Sequence, residues 1–115
     1  GASVDRKKFG NKCVRAYAQA GWRVYPINPK EKEIECAACF PSILDAPHKP
    51  DFASLYLPPE LIQPVLEEIA RAGVKKVYFN PGTESKEALE KARALGLEPL
   101  VKCSIRAIGV NPEQL

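Results

Sequence analysis

The sequence predicts a single α/β domain over residues 1–115, with helices on both faces of a parallel sheet. Three observations lead there. Short apolar, β-prone runs alternate with amphipathic helical stretches, the pattern of βαβ units. A chain of 115 residues has room for one core and not for two ordinary domains. The composition, 45% hydrophobic and 27% charged, is globular, and no apolar run approaches the roughly 18 residues of a membrane helix.

Gly1-Ala2-Ser3 and the charged segment to Lys8 read as a loop. Phe9, Cys13, Ala16, Tyr17 and Ala20 then recur at helical spacing, and Gly21 supplies a stop. Trp22–Ile27 is β-prone and ends at Asn28-Pro29, which no helix or inner strand continues. Residues 30–39 are polar and read as irregular, and Pro41–Leu44 as one helical turn. Phe52–Leu57 is the second expected strand. Pro58-Pro59 stops it and opens a helix with Leu61, Ile62, Val65, Leu66 and Ile69 on one side. Pro64 falls near the start of that helix, where it costs less than in mid-helix. After Gly73, Lys76–Phe79 is a third strand with Asn80-Pro81-Gly82 as a loop at its carboxyl end. Ser85–Leu95 is a helix with Ala88, Leu89, Ala92 and Leu95 inward and Gly96 as its stop. Leu97–Cys103 is a fourth strand, weakened by Pro99.

This order fits a Rossmann-like three-layer fold, except that it opens on a helix. A doubly wound sheet normally opens on a central strand, and the sequence contains no Met. We therefore expect a hydrophobic strand immediately before Gly1 to belong to the fold.

Net charge is +3, and it is unevenly spread. Residues 1–32 hold eight basic side chains against Asp5 and Glu31, a net of +6; the rest hold nine against twelve acids, a net of −3. Either an anionic ligand or a solvated basic helix face accounts for this bias. A glycine turn feeding a helix N-terminus presents free N–H groups and the positive end of the dipole. The Gly1-Ala2-Ser3 turn, with Gly10 near the helix start and Arg6, Lys7, Lys8 and Lys12 around it, has that form. An ordinary surface turn would look the same, and the dinucleotide fingerprint G-x-G-x-x-G is absent. The end of the Trp22–Ile27 run is more discriminating. An NAD site usually places Asp or Glu there to grip ribose hydroxyls, whereas this chain has Asn28-Pro29-Lys30. A nucleotide ligand would then carry a ribose phosphate, as NADP and coenzyme A do.

The chain resembles the small CoA-binding proteins whose fold is shared with the N-terminal domain of the succinyl-CoA synthetase α subunit. The resemblance is carried by Gly1-Ala2-Ser3, Phe9-Gly10-Asn11-Lys12, Val24 to Lys30, Cys39 to Leu44, Tyr56-Leu57-Pro58-Pro59 and Phe79 to Glu84. It implies that Gly1, Ala2 and Ser3 hold the pyrophosphate and that Ile27, Asn28, Pro29 and Lys30 line the adenosine and ribose-phosphate side. Tyr56, Leu57 and Pro58 would meet the adenine or the start of the pantetheine arm, with Phe79, Asn80 and Gly82 along the cleft. Lys30 is the first choice for the 3′-phosphate and Lys8 the second. Family members begin with a strand running into the Gly-Ala-Ser turn.

No catalytic residues are expected. The synthetase relatives use a phosphorylated histidine on a separate domain, and the lone His48 here reads as a solvated loop residue. The four cysteines read as reduced thiols. Cys36-Ala37-Ala38-Cys39 has C-x-x-C spacing, but zinc would need two more ligands at no motif spacing, so no metal site is expected. The expected function is therefore non-catalytic binding of coenzyme A or an acyl-CoA in the cytoplasm. The protein would act without nucleic acid or membrane, alone, as a homodimer or beside a partner enzyme. The competing readings are an NADP-dependent or thiol-redox oxidoreductase, and an interaction module with a vestigial nucleotide cleft.

Overall fold

The computed structural model describes residues 1–115. Helix α1 spans Phe9–Gln19 and ends where Gly21, at φ 90°, takes the left-handed conformation and Trp22 N–H closes on the Tyr17 carbonyl at 2.9 Å. A two-residue hairpin follows, β1 (Glu33–Ile34) paired antiparallel with β2 (Ala37–Ala38). Strand β3 (Phe52–Leu55) leads through a 3₁₀ turn at Pro59–Leu61 into α2 (Ile62–Arg71). Then come β4 (Lys76–Phe79), α3 (Lys86–Ala94), β5 (Glu98–Val101), the short α4 (Ser104–Ala107) and a last 3₁₀ turn at Pro112–Gln114.

Strands β3, β4 and β5 form a parallel sheet in that order. Period-2 alternation sends Leu55, Val77 and Phe79 to one face, where they pack with Leu66 and Ile69 of α2 and Ala88 and Ala92 of α3. Each large aliphatic side chain buried there contributes about 1.5–3 kcal/mol. The opposite face carries Phe52, Ser54 and Tyr78 and is covered by α1 and α4. Tyr17 and Trp22 both meet Phe52 edge-on, at ring-centroid distances of 5.7 and 5.3 Å. The result is the expected three-layer, Rossmann-like α/β arrangement. No helix is long and apolar enough to cross a membrane.

Local chemistry explains the helix limits. The Ser85 hydroxyl caps α3 by accepting from Ala88 N–H at 3.1 Å, with Glu87 in the first turn and Lys91 and Arg93 in the last. Pro64 is the third residue of α2, where its missing N–H breaks no helical bond. Pro99 is tolerated because β5 is an edge strand.

Four expectations need correction. Trp22–Ile27 is not a strand: it makes only one parallel bridge, between Ile27 and Phe40. Strand structure needs a neighbouring ladder, and β3, at the end of the sheet, lies beyond a cavity of about 740 Å³ that both segments line. Residues 30–39 are not irregular throughout, since Glu35 and Cys36, at φ 50° and 65°, close the β1–β2 hairpin. Phe9, at the start of α1, is 52% exposed despite its helical spacing, and Val14 is buried in its stead. Leu61 and Leu95 fall at the ends of their helices, just off the packed face, and are exposed. The strand expected before Gly1 lies outside the described residues.

Candidate functional site

The turn that precedes α1 is built from its own short polar residues. Ser3 Oγ accepts from Asp5 N–H at 3.1 Å, and the Asp5 carboxylate accepts from Lys7 N–H at 3.0 Å. Helix α1 then lies directly on the chain at Gly1. A Cβ placed on Gly10 would stand 2.1 Å from the Gly1 carbonyl oxygen, so only glycine allows this approach. The exposed Lys8 is the N-cap of α1, with no side-chain capping bond.

The loop after Ile27 clasps that turn. The Ile27 carbonyl accepts from the Gly1 amino group at 3.4 Å and from Ala2 N–H at 3.3 Å. Asn28 Nδ2 donates to the Ala2 carbonyl at 2.9 Å, while its Oδ1 accepts from Lys30 N–H at 2.8 Å. One amide thus fixes both the turn and the start of the Lys30 segment, leaving Pro29 and Lys30 exposed. Gly1 is hemmed from the other side by Tyr56, whose carbonyl carbon would lie 2.7 Å from a Cβ at position 1.

Gly1, Ala2, Ile27, Pro29, Tyr56 and Leu57 all line the large cavity. The Gly1 turn, the Ile27 loop and the loop after β3 therefore converge at the carboxyl end of the sheet, where ligands bind in open α/β folds. Ser3, Lys8, Asn28, Lys30 and Pro58 flank this region without lining the cavity.

The loop after β4 behaves differently. Phe79 is fully buried among the α2 and α3 side chains, so its ring is a core group and not a cleft wall. Asn80 is also buried, and it serves as a pin between elements. Its Nδ2 donates to Ser54 Oγ and the Leu55 carbonyl, both at 2.8 Å, and its Oδ1 accepts from Ser104 N–H at 2.8 Å. Tyr56 OH and Ser104 Oγ lie 3.2 Å apart, and Tyr17 OH donates to the Ser104 carbonyl at 2.6 Å. Burial raises the pKa of both tyrosines, which keeps them protonated as donors. Asn80 thus joins the region through Tyr56 by way of Ser104. Gly82, at φ 92°, is exposed beyond the loop.

Sequence reasoning missed three residues beside the turn. Asn11 is fully buried; its Nδ2 donates to the Ser3 carbonyl at 2.9 Å and to Glu35 Oε2 at 3.1 Å. Its Oδ1 accepts from Arg15 Nε at 2.8 Å, and Arg15 also donates to the Arg6 carbonyl. Glu35, from the hairpin, pairs with Arg6 at 3.0 Å. The Asn11 and Arg15 pair was detectable as an i, i+4 polar match on α1. Glu35 was not, because it arrives from 24 residues further along the chain.

The remaining chemistry is sparse. All four cysteines are free, with Cys36 exposed at the hairpin tip and Cys39 donating weakly to the Asn28 carbonyl at 3.7 Å. Burial raises the pKa of Cys13 and of Cys39. His48 is exposed in a loop on the far rim of the cavity. No three His, Cys, Asp or Glu side chains gather as a metal site would require.

Comparison with known proteins gives a consistent picture. Residues 1–109 match the family model for a CoA binding domain. The chain is 34% identical over 116 residues to the acetate–CoA ligase (ADP-forming) II of Archaeoglobus fulgidus, a match covering 96% of this chain and 17% of that protein. Among solved structures, a conserved hypothetical protein from Pyrococcus furiosus superimposes with a TM-score of 0.86 at 32% identity, covering 93% of each chain. The dinucleotide-forming acetyl-coenzyme A synthetase 1 of Candidatus Korarchaeum cryptofilum, in complex with phosphate and ADP, gives 0.77 at 30% identity. That match covers 89% of this chain and 24% of the synthetase chain. The chain thus spans about a sixth of the ligase and a quarter of the synthetase chain. With a family match over all but the last six residues, the chain belongs to the CoA binding domain family.

Proposed function

We propose that this domain binds coenzyme A or an acyl-CoA through the Gly1–Ser3 turn and the Ile27–Lys30 and Tyr56–Pro58 loops, and performs no chemistry on it alone. The observation that carries this reading is the mutual clasp of turn and loop: Asn28 on Ala2, Ile27 on Gly1, and Tyr56 against Gly1. These contacts bring backbone donors, the start of α1 and the exposed Lys8 and Lys30 to one end of the sheet. That donor set fits a diphosphate and a phosphorylated ribose.

Residues 28–30 contain no carboxylate, and Lys30 Nζ is free to approach a 3′-phosphate. Ile27, Tyr56 and Leu57 stand beside the Gly1 turn, where the resemblance puts the adenine or the first part of the pantetheine arm. The reading without chemistry rests on the residues at hand: Tyr17 and Tyr56 are engaged with Ser104, and the only histidine, His48, is exposed in a loop on the far rim. The ligase and synthetase relatives are named for CoA chemistry, and this chain corresponds to a fraction of each.

Isothermal titration with CoA, dephospho-CoA and AMP tests the proposal. CoA should bind best, and Lys30→Glu should weaken CoA by roughly tenfold or more through charge reversal beside the ribose phosphate. Dephospho-CoA should be far less affected. Equally poor binding of CoA and AMP by the folded protein would overturn the assignment.

A further inference from the structure

The β1–β2 hairpin has no place in the binding surface just described, yet its tip reaches the phosphate turn. We propose that Glu35 is a built-in competitor: its carboxylate occupies two donors beside the turn, Arg6 and Asn11, that the ligand diphosphate takes over, so a phosphorylated ligand binds by displacing it. This rests on the CoA reading above and adds a form of regulation to that site.

The geometry is specific to an anion. Glu35 Oε1 accepts from Arg6 at 3.0 Å and Oε2 from Asn11 Nδ2 at 3.1 Å, so the two oxygens divide two donors as two phosphoryl oxygens would. Asn11 is wholly buried and its amide is held in place by the Ser3 carbonyl and by Arg15 Nε. Its second N–H therefore points at Glu35 and has nowhere else to go. The Glu35 side chain is only 23% exposed, so the carboxylate has given up most of its water for these two partners.

The backbone supports a displaceable role. Glu35 and Cys36 both hold positive φ, 50° and 65°, without being glycine. Such residues persist where surrounding contacts hold them. Only two residues in each strand pair across the hairpin, and Ile34 is its one buried anchor. The chain can yield at the tip without disturbing the core. Arg6, 64% exposed, is free to follow an incoming phosphate once the carboxylate leaves.

The test compares Glu35→Gln with the unaltered protein by titration calorimetry at low salt. Glu33→Gln, an exposed acid of the same hairpin, is the control for long-range charge. Glu35→Gln should tighten CoA and dephospho-CoA alike by about threefold to tenfold, the scale of one charge-assisted contact, with no gain for pantetheine. Its thermal midpoint without ligand should lie slightly below that of Glu33→Gln, because the contact that competes with ligand also stabilises the free protein, while unfolding stays a single cooperative transition. An equal gain in Glu33→Gln, a gain for pantetheine, or weaker binding in Glu35→Gln would overturn the latch. These outcomes leave the CoA assignment intact. If neither the unaltered protein nor Glu35→Gln binds CoA, the assignment and the latch fall together. Binding by Glu35→Gln alone would support both.

Discussion

Replacing Gly10 by alanine probes the link between α1 and the Gly1–Ser3 turn. The new methyl carbon would stand 2.1 Å from the Gly1 carbonyl oxygen and 3.2 Å from its carbonyl carbon. An ordinary carbon–oxygen contact is about 3.3–3.6 Å, so helix and turn must separate by more than 1 Å. The turn cannot simply retreat, because Ile27 and Asn28 hold it on one side and Tyr56 closes the other. Two effects of opposite sign compete. Alanine improves helix propensity by about 0.8–1 kcal/mol, whereas forcing a methyl into a closed contact costs about 1–3 kcal/mol. The contact is to backbone on both sides and rotamer change cannot relieve it, so the upper half of that range applies. We expect a net loss of about 1–2 kcal/mol in urea unfolding. CoA affinity should fall further than stability does, since the turn itself is displaced. A Gly10→Ala protein as stable as the parent, with unchanged CoA binding, would refute the close-approach argument.

Asn80→Ala removes the acceptor of Ser104 N–H and a donor to the Leu55 carbonyl inside the fold, so it should cost about 2–4 kcal/mol in urea denaturation. A loss below about 1 kcal/mol would show that Asn80 is not the pin described. Cys36→Gly relieves a side chain at φ 65° and should raise stability by about 0.5–1 kcal/mol, read as a small upward shift of Tm. Destabilisation there would mean that the hairpin turn is held by the Cys36 side chain and not in spite of it.

The legible parts of this fold were those whose signal is local. Strand β4 carries Val77 and Phe79 on one face and ends at Asn-Pro-Gly; the sequence reading and the structure agree on Lys76–Phe79. Helix α3, capped by Ser85 and stopped by Gly96, differs from its expected span by one residue at each end. Elements that depend on distant partners were not legible. Trp22–Ile27 has strand composition, but a strand is a relation between neighbours, and only Ile27 has one. The hairpin at residues 33–38 uses left-handed backbone at Glu35 and Cys36, residue types that give no turn signal. At the candidate site, the Gly1 turn could be picked out as a glycine turn feeding a helix start, and Asn28 because residues 28–30 lack the carboxylate that an NAD site carries. The Asn11–Glu35 contact could not, since nothing in either local stretch refers to the other. Phe79 was misassigned against a signal that was present: alternation with Val77 already placed its ring in the core.

The two bonds of the Asn28 side chain have a consequence for how the loops beside it can vary. Its Nδ2 holds the Ala2 carbonyl and its Oδ1 holds Lys30 N–H, so the Gly1 turn and the Lys30 segment are tied through one amide. A substitution at this residue loosens both at once, whereas exchanges among the exposed side chains of either loop leave the tie intact.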